Sequence, residues 1–590
     1  MAEVYVSPTG SDVTGDGTVG RPWQTIAFAK SSAATLGLVG PRMLDDCNIN
    51  LTNAALHRMT AKQSHGPSLS GQNGKKLRYV GTGRTGTTRI LASQRVTGWT
   101  VDAGSVWKAT IGTAPIYTLY EDGRRLMEAR FPKYVHQTAF PMARGAWVRA
   151  EGVVGSSTVI QYPVGSLDPA TWGSLAQLKV TINSGGTFLW FTDVVPVQSI
   201  NTGTRQIALT RPTRYEIHSG AGGSQFFCHG TRALLTQAGE FFHDTSSGIL
   251  YVWPWKGGDP NTYGIEMPLM TTAFEFLGIS AIDRTHDIEL NNIAICNTDF
   301  TNDYSYAWTT EGQSGEGHVY GAYDRIVTRP VHRQGLITRI NCNNITLRNV
   351  ELAGAGYNAI YEYGYNQGHI DENVWGHNCG MGGLYRDGLY PDEGDVSRGN
   401  YARNVLFNNC GELTAHGAGI SQINAGHNVF ELWEVQQCAG QGYAVHSYSF
   451  GGGGYPTPDP SMLYAEGNIG RRGKIRNVGQ ARGDLGACGV GGIGSRLAGP
   501  TKSNLLDGLD IDGVLPEPAE YDVGGNGLFP DNEAKGQVWK NAKIVNTSGA
   551  TTRENSADSI GTQVYENVQG KTTFDPALVP ACGVTREFPF

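Results

Sequence analysis

Short runs of alternating apolar and polar residues recur along the second half of this chain, each closed by asparagine and glycine. NNITLRNVELAGAGYNAI (Asn343 to Ile360) is one, HDIELNNIAICNTDF (His286 to Phe300) another, and KIRNVGQARGDLGACGVGGIGS, anchored at Ile493, fits more loosely. Cys379, Cys410 and Cys438 stand 31 and 28 residues apart, and each precedes glycine and then an aliphatic anchor, Leu384, Ile420 or Val445. In the rung before them Ala353 or Gly354 takes the cysteine's place and Ile360 is the anchor; upstream, Cys296 fits the same pattern. Alternation over such spans predicts strands, and a return about every 20 to 30 residues predicts the coils of a β-solenoid. One coil cannot bury its inward face alone, so it stacks on its neighbours and equivalent residues lie about 4.8 Å apart. The cysteines then form an inward column of small buried side chains, and asparagine suits the turns because it tolerates left-handed backbone. After each anchor the polar ending differs, as in AGYNAIYEYG, GMGGLYRDG, GAGISQI and GYAVHSYS. The core demands the repeat; the endings are free to differ because they face solvent or a cleft.

The same patterning divides the chain. Residues 1–35 read as a strand and an amphipathic helix, WQTIAFAKSSAATL, that covers the open end of the solenoid. Residues 36–105 supply first rungs. Over 106–270 the rhythm breaks, and VTINSGGTFLWFTDVVPVQSINTGTRQIALTRP alternates as antiparallel strands of an inserted, sandwich-like β-rich domain. The main β-helix with its cleft occupies 271–555, with GGGGYPTPDPS as a loop thrown out from one rung, and 556–590 form a Pro-rich tail suited to a subunit contact.

Composition narrows the class. At 590 residues the chain exceeds one ordinary core, and 81 glycines with only 17% charged residues belong to an all-β fold with many turns rather than to disorder. The net charge of −7, without a basic tract, argues against nucleic acid, and no apolar run reaches membrane-spanning length, so the chain reads as soluble. The opening MAEVYVSPTGSD lacks the basic and apolar segments of a secretory signal. Nine cysteines without close CxxC pairs imply neither zinc nor a full disulfide framework.

Several segments carry a family likeness. VYVSPTGSDVTGDGTVGRPWQTIAFA (Val4 to Ala29), HGPSLSGQNGKKLRYVGTGRTGTTRILASQRVTGW, LYEDGRRLMEARFPKY (Leu119 to Tyr134) and LLTQAGEFFHDTSSGILYVWP (Leu234 to Pro254) follow one another in order. Together they resemble the first half of right-handed parallel β-helix, pectate-lyase-like carbohydrate-active proteins: β-helical glycoside hydrolases, some polysaccharide lyases and phage tail-spike depolymerases. The resemblance implies that fold and a carbohydrate substrate, an extracellular or virion-tail location, and a trimer if the chain is a spike. The Asp-Asp and Gly-His-Gly marks of polygalacturonases are absent. Where many relatives carry Asp-x-Gly-Ala-Ile-Tyr, this chain has HGAGIS, with His416 and Gly417.

Glycosidic hydrolysis uses two carboxyl groups, so acids just after neighbouring anchors are the candidates. Glu362 follows Ile360 and Asp387 follows Leu384, one coil apart. Strict alternation puts them on opposite faces; the expectation is that the strand ends there and both reach outward, with a plain Glu362–Arg386 ion pair as the alternative. Tyr361, Tyr363, Tyr385, Arg386, His416, His446 and Tyr448 would hold sugar, and Asp392, Glu393, Asp395, Glu412 and Asp484 are reserve acids. No metal or other cofactor is called for; calcium at the Asp392, Glu393 and Asp395 loop is the alternative. The expected function is a glycoside hydrolase with a two-carboxylate mechanism. A lyase acting on a uronic-acid polymer through Arg386, His446 and a tyrosine remains open, as does a tail-spike or adhesin that binds glycan without cutting it.

Overall fold

The chain is a right-handed parallel β-helix. The computed structural model describes residues 1–53, 55–83, 87–133, 147–151, 156–184, 189, 191–213, 215–218, 223–300, 304–305, 319–320, 326–328, 334–388, 396–447, 465–481, 485–492, 504–515, 525–531, 534–555 and 560–569. The loop GGGGYPTPDPS and the tail FDPALVPACGVTREFPF lie outside these residues.

Two parallel sheets form the long faces of the solenoid. The first has 14 strands, running in space from Ala2–Val6 through Cys47–Leu51, Leu77–Gly81, Thr285–Cys296, Cys342–Ala353, Ile370–Cys379, Tyr401–Cys410 and onward to Val564–Gln569. The second has 9 strands, from Gln63–His65 and Phe274–Leu277 through Gly335–Ile340, Asn358–Tyr363, Leu384–Asp387 and Ile420–Ile423 to Tyr443–Ser447 and beyond. Both sheets step over the middle of the sequence: Leu77 lies opposite Ile288, and Gln63 opposite Phe274. The chain between forms two further sheets with hydrophobic clusters of their own: an antiparallel one around Val180, Ile182, Val195 and Phe226, and one around Leu119, Leu126, Leu250 and Val252 that is antiparallel except where Arg124–Glu128 runs parallel to Glu240–Asp244. Helix Ile26–Thr35, capped by Thr25 Oγ1 accepting from the Phe28 amide, buries Ile26, Ala29 and Ala33 in the same cluster as Val4 and Ile49 of the first rungs.

Three devices hold the coils in register. Inside, Cys379, Cys410 and Cys438 lie opposite one another and fully buried, and none of the eight described cysteines is in a disulfide. The column is narrower than the sequence implied. Cys379 O accepts from Gly411 N and Ala355 O from Gly380 N, so Ala355 rather than Ala353 or Gly354 takes the cysteine's place. Cys296 stands opposite Ala353, which stands opposite His377, outside that column. At the corners asparagines stack: Asn349 donates to Asn292 (3.0 Å), Asn373 to Asn349 (2.7 Å) and Asn404 to Asn373 (2.9 Å). All four have φ between 53° and 56°, the left-handed region that asparagine tolerates. On the outer face of the first sheet, Arg348, Glu372, Arg403, Glu431, Arg471, Asp507, Lys540 and Glu566 are successive register partners. Charge alternates at every step, so a rung inserted out of turn sets like beside like.

That ladder predicts a salt-dependent cost. Glu431→Lys brings three cations into adjacent rungs and should destabilise by about 1 kcal/mol in low salt, less at 1 M salt, where screening is nearly complete over such distances. Equal denaturation midpoints for both proteins at low salt would contradict it.

Candidate functional site

The second sheet decides the fate of the sequence-derived acids. Asn358–Tyr363 continues through Glu362, which lies opposite Arg386, while Tyr363 lies opposite Asp387. Adjacent side chains in a strand point to opposite faces, so Glu362 and Asp387 do too. The expectation that the strand ends and both acids reach outward is corrected. Glu362 has no exposed surface and accepts from Arg339 Nη1 (2.8 Å) and Arg386 Nε (2.5 Å). Arg339 also binds Asp371, at 2.6 and 3.1 Å, and Arg386 reaches Gln422 Oε1 at 3.4 Å. Burial alone would raise the Glu362 carboxyl, but Arg386, then His369 and Arg339, outweigh it and hold it at about 2. His369, beside them, is pushed well below its ordinary value by burial and then by Arg339, so it stays neutral, its Nδ1 accepting from the Ile345 amide at 3.1 Å. Two guanidinium groups and two carboxylates thus neutralise one another within the core, the ion-pair alternative for Glu362 and Arg386.

The residues on the other face form a row. Tyr361 packs 5.9 Å from Tyr385 and 6.4 Å from Tyr363, ring centre to ring centre, with Ile340 and Ile423 in the same cluster. Asp387 is fully buried beside them. His446, opposite Ile423, is half-buried and 3.3 Å from Gln441 Oε1; His416 is half-buried in the turn after Cys410. Tyr448, Asp392, Glu393, Asp395 and Asp484 lie outside the described residues, and with them the alternative calcium loop. Among the described residues no group of three or more His, Cys, Asp or Glu could hold a metal ion.

A better-defined arrangement lies where the antiparallel sheets meet the solenoid. Asp299, after the Cys296 strand, accepts from the Thr118 amide (2.8 Å) and the Tyr117 amide (3.1 Å), and Tyr120 Oη lies within hydrogen-bond distance of both Gly354 O (2.6 Å) and Thr298 O (2.8 Å), its one proton serving either. Arg125, from the strand Arg124–Glu128, donates to Ala355 O (2.7 Å) and Asn378 O (2.9 Å) on successive rungs and through Nε to Glu412 Oε2 (2.8 Å). These bonds seat the sheet that carries Tyr120 and Arg125 on the solenoid's turns. Between them a cavity holds about 550 Å³ of empty space, its solvent-open mouth included, lined by Glu128, Glu412, Arg125, Arg130, Lys179 and His229 among others. Tyr117, Phe227 and Phe300 add aromatic surface.

The two carboxyl groups of this cavity are pulled in opposite directions. Burial would raise Glu128, but Lys179 (2.9 Å) and His229 (2.7 Å) hold it down at about 2. His229 itself is pushed below its usual value by burial, against the opposing pull of Glu128. We assign it as neutral, Nδ1–H donating to Glu128 and Nε2 accepting from Thr181 Oγ1 at 3.0 Å, so that Lys179 is the compensating cation. Glu412 is raised, because burial outweighs the neighbouring Arg125. One carboxyl group is held firmly ionised while the other binds its proton more tightly than usual, the direction that separates a general acid from its ionised partner. Of these residues the sequence reading named only Glu412. Arg125, Glu128 and Arg130 belong to LYEDGRRLMEARFPKY, one of the family-like segments. That likeness was the available signal, but no spacing rule connects it to Lys179, His229 or Glu412.

No family model and no curated protein matches the chain. Among solved structures, one described as a glycoside hydrolase superposes with a TM-score of 0.72 over 100% of both chains at 13% identity. That likeness establishes the fold. XylC in complex with xylose matches at a TM-score of 0.42 and 13% identity over 93% of this chain and 70% of its own. A lacto-N-biosidase from Eubacterium ramulus matches at 0.31 and 10% over 96% and 68%. Both are too loose to argue from.

The buried ion cluster has a test of its own. Glu362→Gln leaves Arg339 and Arg386 facing each other without a shared carboxylate and should cost about 3–5 kcal/mol in urea unfolding. Because the folded-state value of Glu362 is depressed, its contribution is present above about pH 4.5 and fades as pH falls towards 2. A neutral substitution, or an effect confined to activity, would contradict the structural role.

Proposed function

We propose that this protein is a glycoside hydrolase whose chemistry takes place in the cavity between the antiparallel sheets and the solenoid. The observation that carries the reading is a pair of carboxyl groups lining one aromatic-walled cavity, Glu128 clamped by Lys179 and His229, and Glu412 raised by burial beside Arg125. Glu412 donates its proton to the glycosidic oxygen as the bond to the anomeric carbon breaks. Glu128 faces the positive charge that develops there, as nucleophile, as base towards water or as an electrostatic stabiliser. Arg125, bonded to Glu412 Oε2, fixes the acid's rotamer, and Lys179 with His229 fixes that of Glu128. Tyr117, Phe227 and Phe300 offer flat faces to a sugar ring. The description of the full-length structural neighbour and the family-like segments support a carbohydrate substrate. Such polymers are met outside the cell, and the reading carries that location with it.

Glu412→Gln should lower turnover of unactivated oligosaccharides by about 10²–10⁴-fold, with a smaller loss for aryl glycosides whose leaving group needs no proton. The sign of the pH dependence follows from the shifts. A raised Glu412 is active while protonated, so rate falls as pH rises through its value, and that alkaline limb should vanish in Glu412→Gln. Glu128 remains ionised down to about pH 2, so it adds no acid limb above that. Products that absorb in the ultraviolet as unsaturated sugars would instead mark a lyase, and an uncut glycan a binding module.

A second reading keeps Asp387, whose fully buried carboxyl sits beside the row of Tyr361, Tyr363 and Tyr385. Under the first reading Asp387→Asn retains most turnover. Loss of turnover in Asp387→Asn with full activity in Glu412→Gln would move the chemistry to that row.

A further inference from the structure

A second cavity lies at another part of the same junction and shares no lining residue with the first. It holds about 900 Å³ of empty space, open mouth included, and is lined by Arg58, Arg89 and Arg95 together with Asp122, Glu266, Leu56 and Leu91 among others. The three arginines come from different elements. Leu56–Arg58 and Arg89–Leu91 are neighbouring parallel strands of the solenoid, and Ser93–Arg95 pairs antiparallel with Ile265–Pro268, setting Arg95 opposite Glu266.

Their charges are unequally satisfied. Arg58 is taken up by Glu266 in a two-point pair, 2.5 and 2.7 Å, and Asp122 is paired with Lys256. Arg89 is different: its Nη2 donates to Cys296 Sγ at 3.1 Å, a weak acceptor, and its Nη1 stands 3.8 Å from Glu351, beyond hydrogen-bond reach. Arg95 spends one nitrogen, Nη2, on two backbone carbonyls, Asn261 O and Tyr263 O, each at 2.8 Å. Among the described residues neither Arg89 nor Arg95 has a hydrogen-bonded carboxylate. Each guanidinium has five N–H donors in a planar fork that matches a two-oxygen anion. Leu56 is 48% exposed and Leu91 lies nearby, apolar surface that suits the C–H face of a ring.

We propose that this cavity is a binding subsite for an acidic saccharide, with Arg89 and Arg95 gripping a carboxylate or sulfate carried by the sugar. The anionic part of the claim rests on the arginines alone; the saccharide part rests on the carbohydrate reading of the protein.

The test is titration calorimetry on the whole chain with trigalacturonate, its neutral methyl ester, a sulfated carrageenan oligosaccharide and inorganic sulfate. The carboxylated or the sulfated saccharide should bind, which also separates the two sources of charge, and the ester should bind at least tenfold more weakly. Arg89→Gln and Arg95→Gln should each weaken binding about tenfold or more. Arg89→Lys, which keeps the charge but loses the fork, should fall between. Affinity should drop from 20 to 200 mM salt. Arg89 and Arg95 line no part of the Glu412 cavity, so failure of the proposed hydrolysis leaves this result readable. Equal binding of acid and ester, unchanged binding in Arg95→Gln with its melting temperature intact, binding of inorganic sulfate alone, or no binding by any probe overturns the proposal.

Discussion

The stacking of one coil on the next in register is the constraint on which the molecule depends. Backbone hydrogen bonds between parallel strands hold equivalent residues about 4.8 Å apart, and whatever occupies a position then meets its own counterparts above and below. Small thiols stack into a core column, asparagines into corner ladders, and opposite charges into an alternating row. Each choice would be costly in another register. Bare apolar matching tolerates slippage; Arg339, Glu362 and Arg386 on three successive strands of a closed interior do not, because a slipped rung strands a charge without water.

A regular stack has a second consequence. Its faces are built from repeats, so a cavity with unlike groups on its walls needs something that breaks the repeat. The antiparallel sheets do this. They are seated on the turns through Asp299, Tyr120 and Arg125, and they carry Glu128, Lys179 and His229 up to a rung turn that presents Glu412. The surroundings then divide the carboxyl groups: each has a cation within salt-bridge distance, but Lys179 and His229 outweigh burial at Glu128, whereas at Glu412 burial prevails over Arg125. Arg125 serves both purposes, binding carbonyls of two rungs and the carboxyl of Glu412, so docking and site geometry are coupled through one side chain.

The repeat, the parallel strands and the inward cysteines were legible because each is a local periodicity that the stack merely copies. The error over Glu362 came from overriding that periodicity. Alternation alone puts Glu362 and Asp387 on opposite faces, and the cost of burying an acid was taken as reason for the strand to stop. Arg339 and Arg386, a rung away on either side, remove that cost; the pair with Arg386 was the stated alternative, and Arg339 completes it. The Glu128 site was illegible for a different reason. Lys179, His229 and Glu412 lie 51, 101 and 284 residues after Glu128, on separate strands and a solenoid turn that no common period links.

By itself, then, the sequence determined the winding: short-range alternation, turn chemistry and coil length suffice for a parallel β-helix, because every rung repeats the same local problem. Tertiary structure alone decided which charges are structural and which line a cavity. That depends on the partner across a rung or a sheet junction, and on how much water the junction excludes, neither of which any one segment contains.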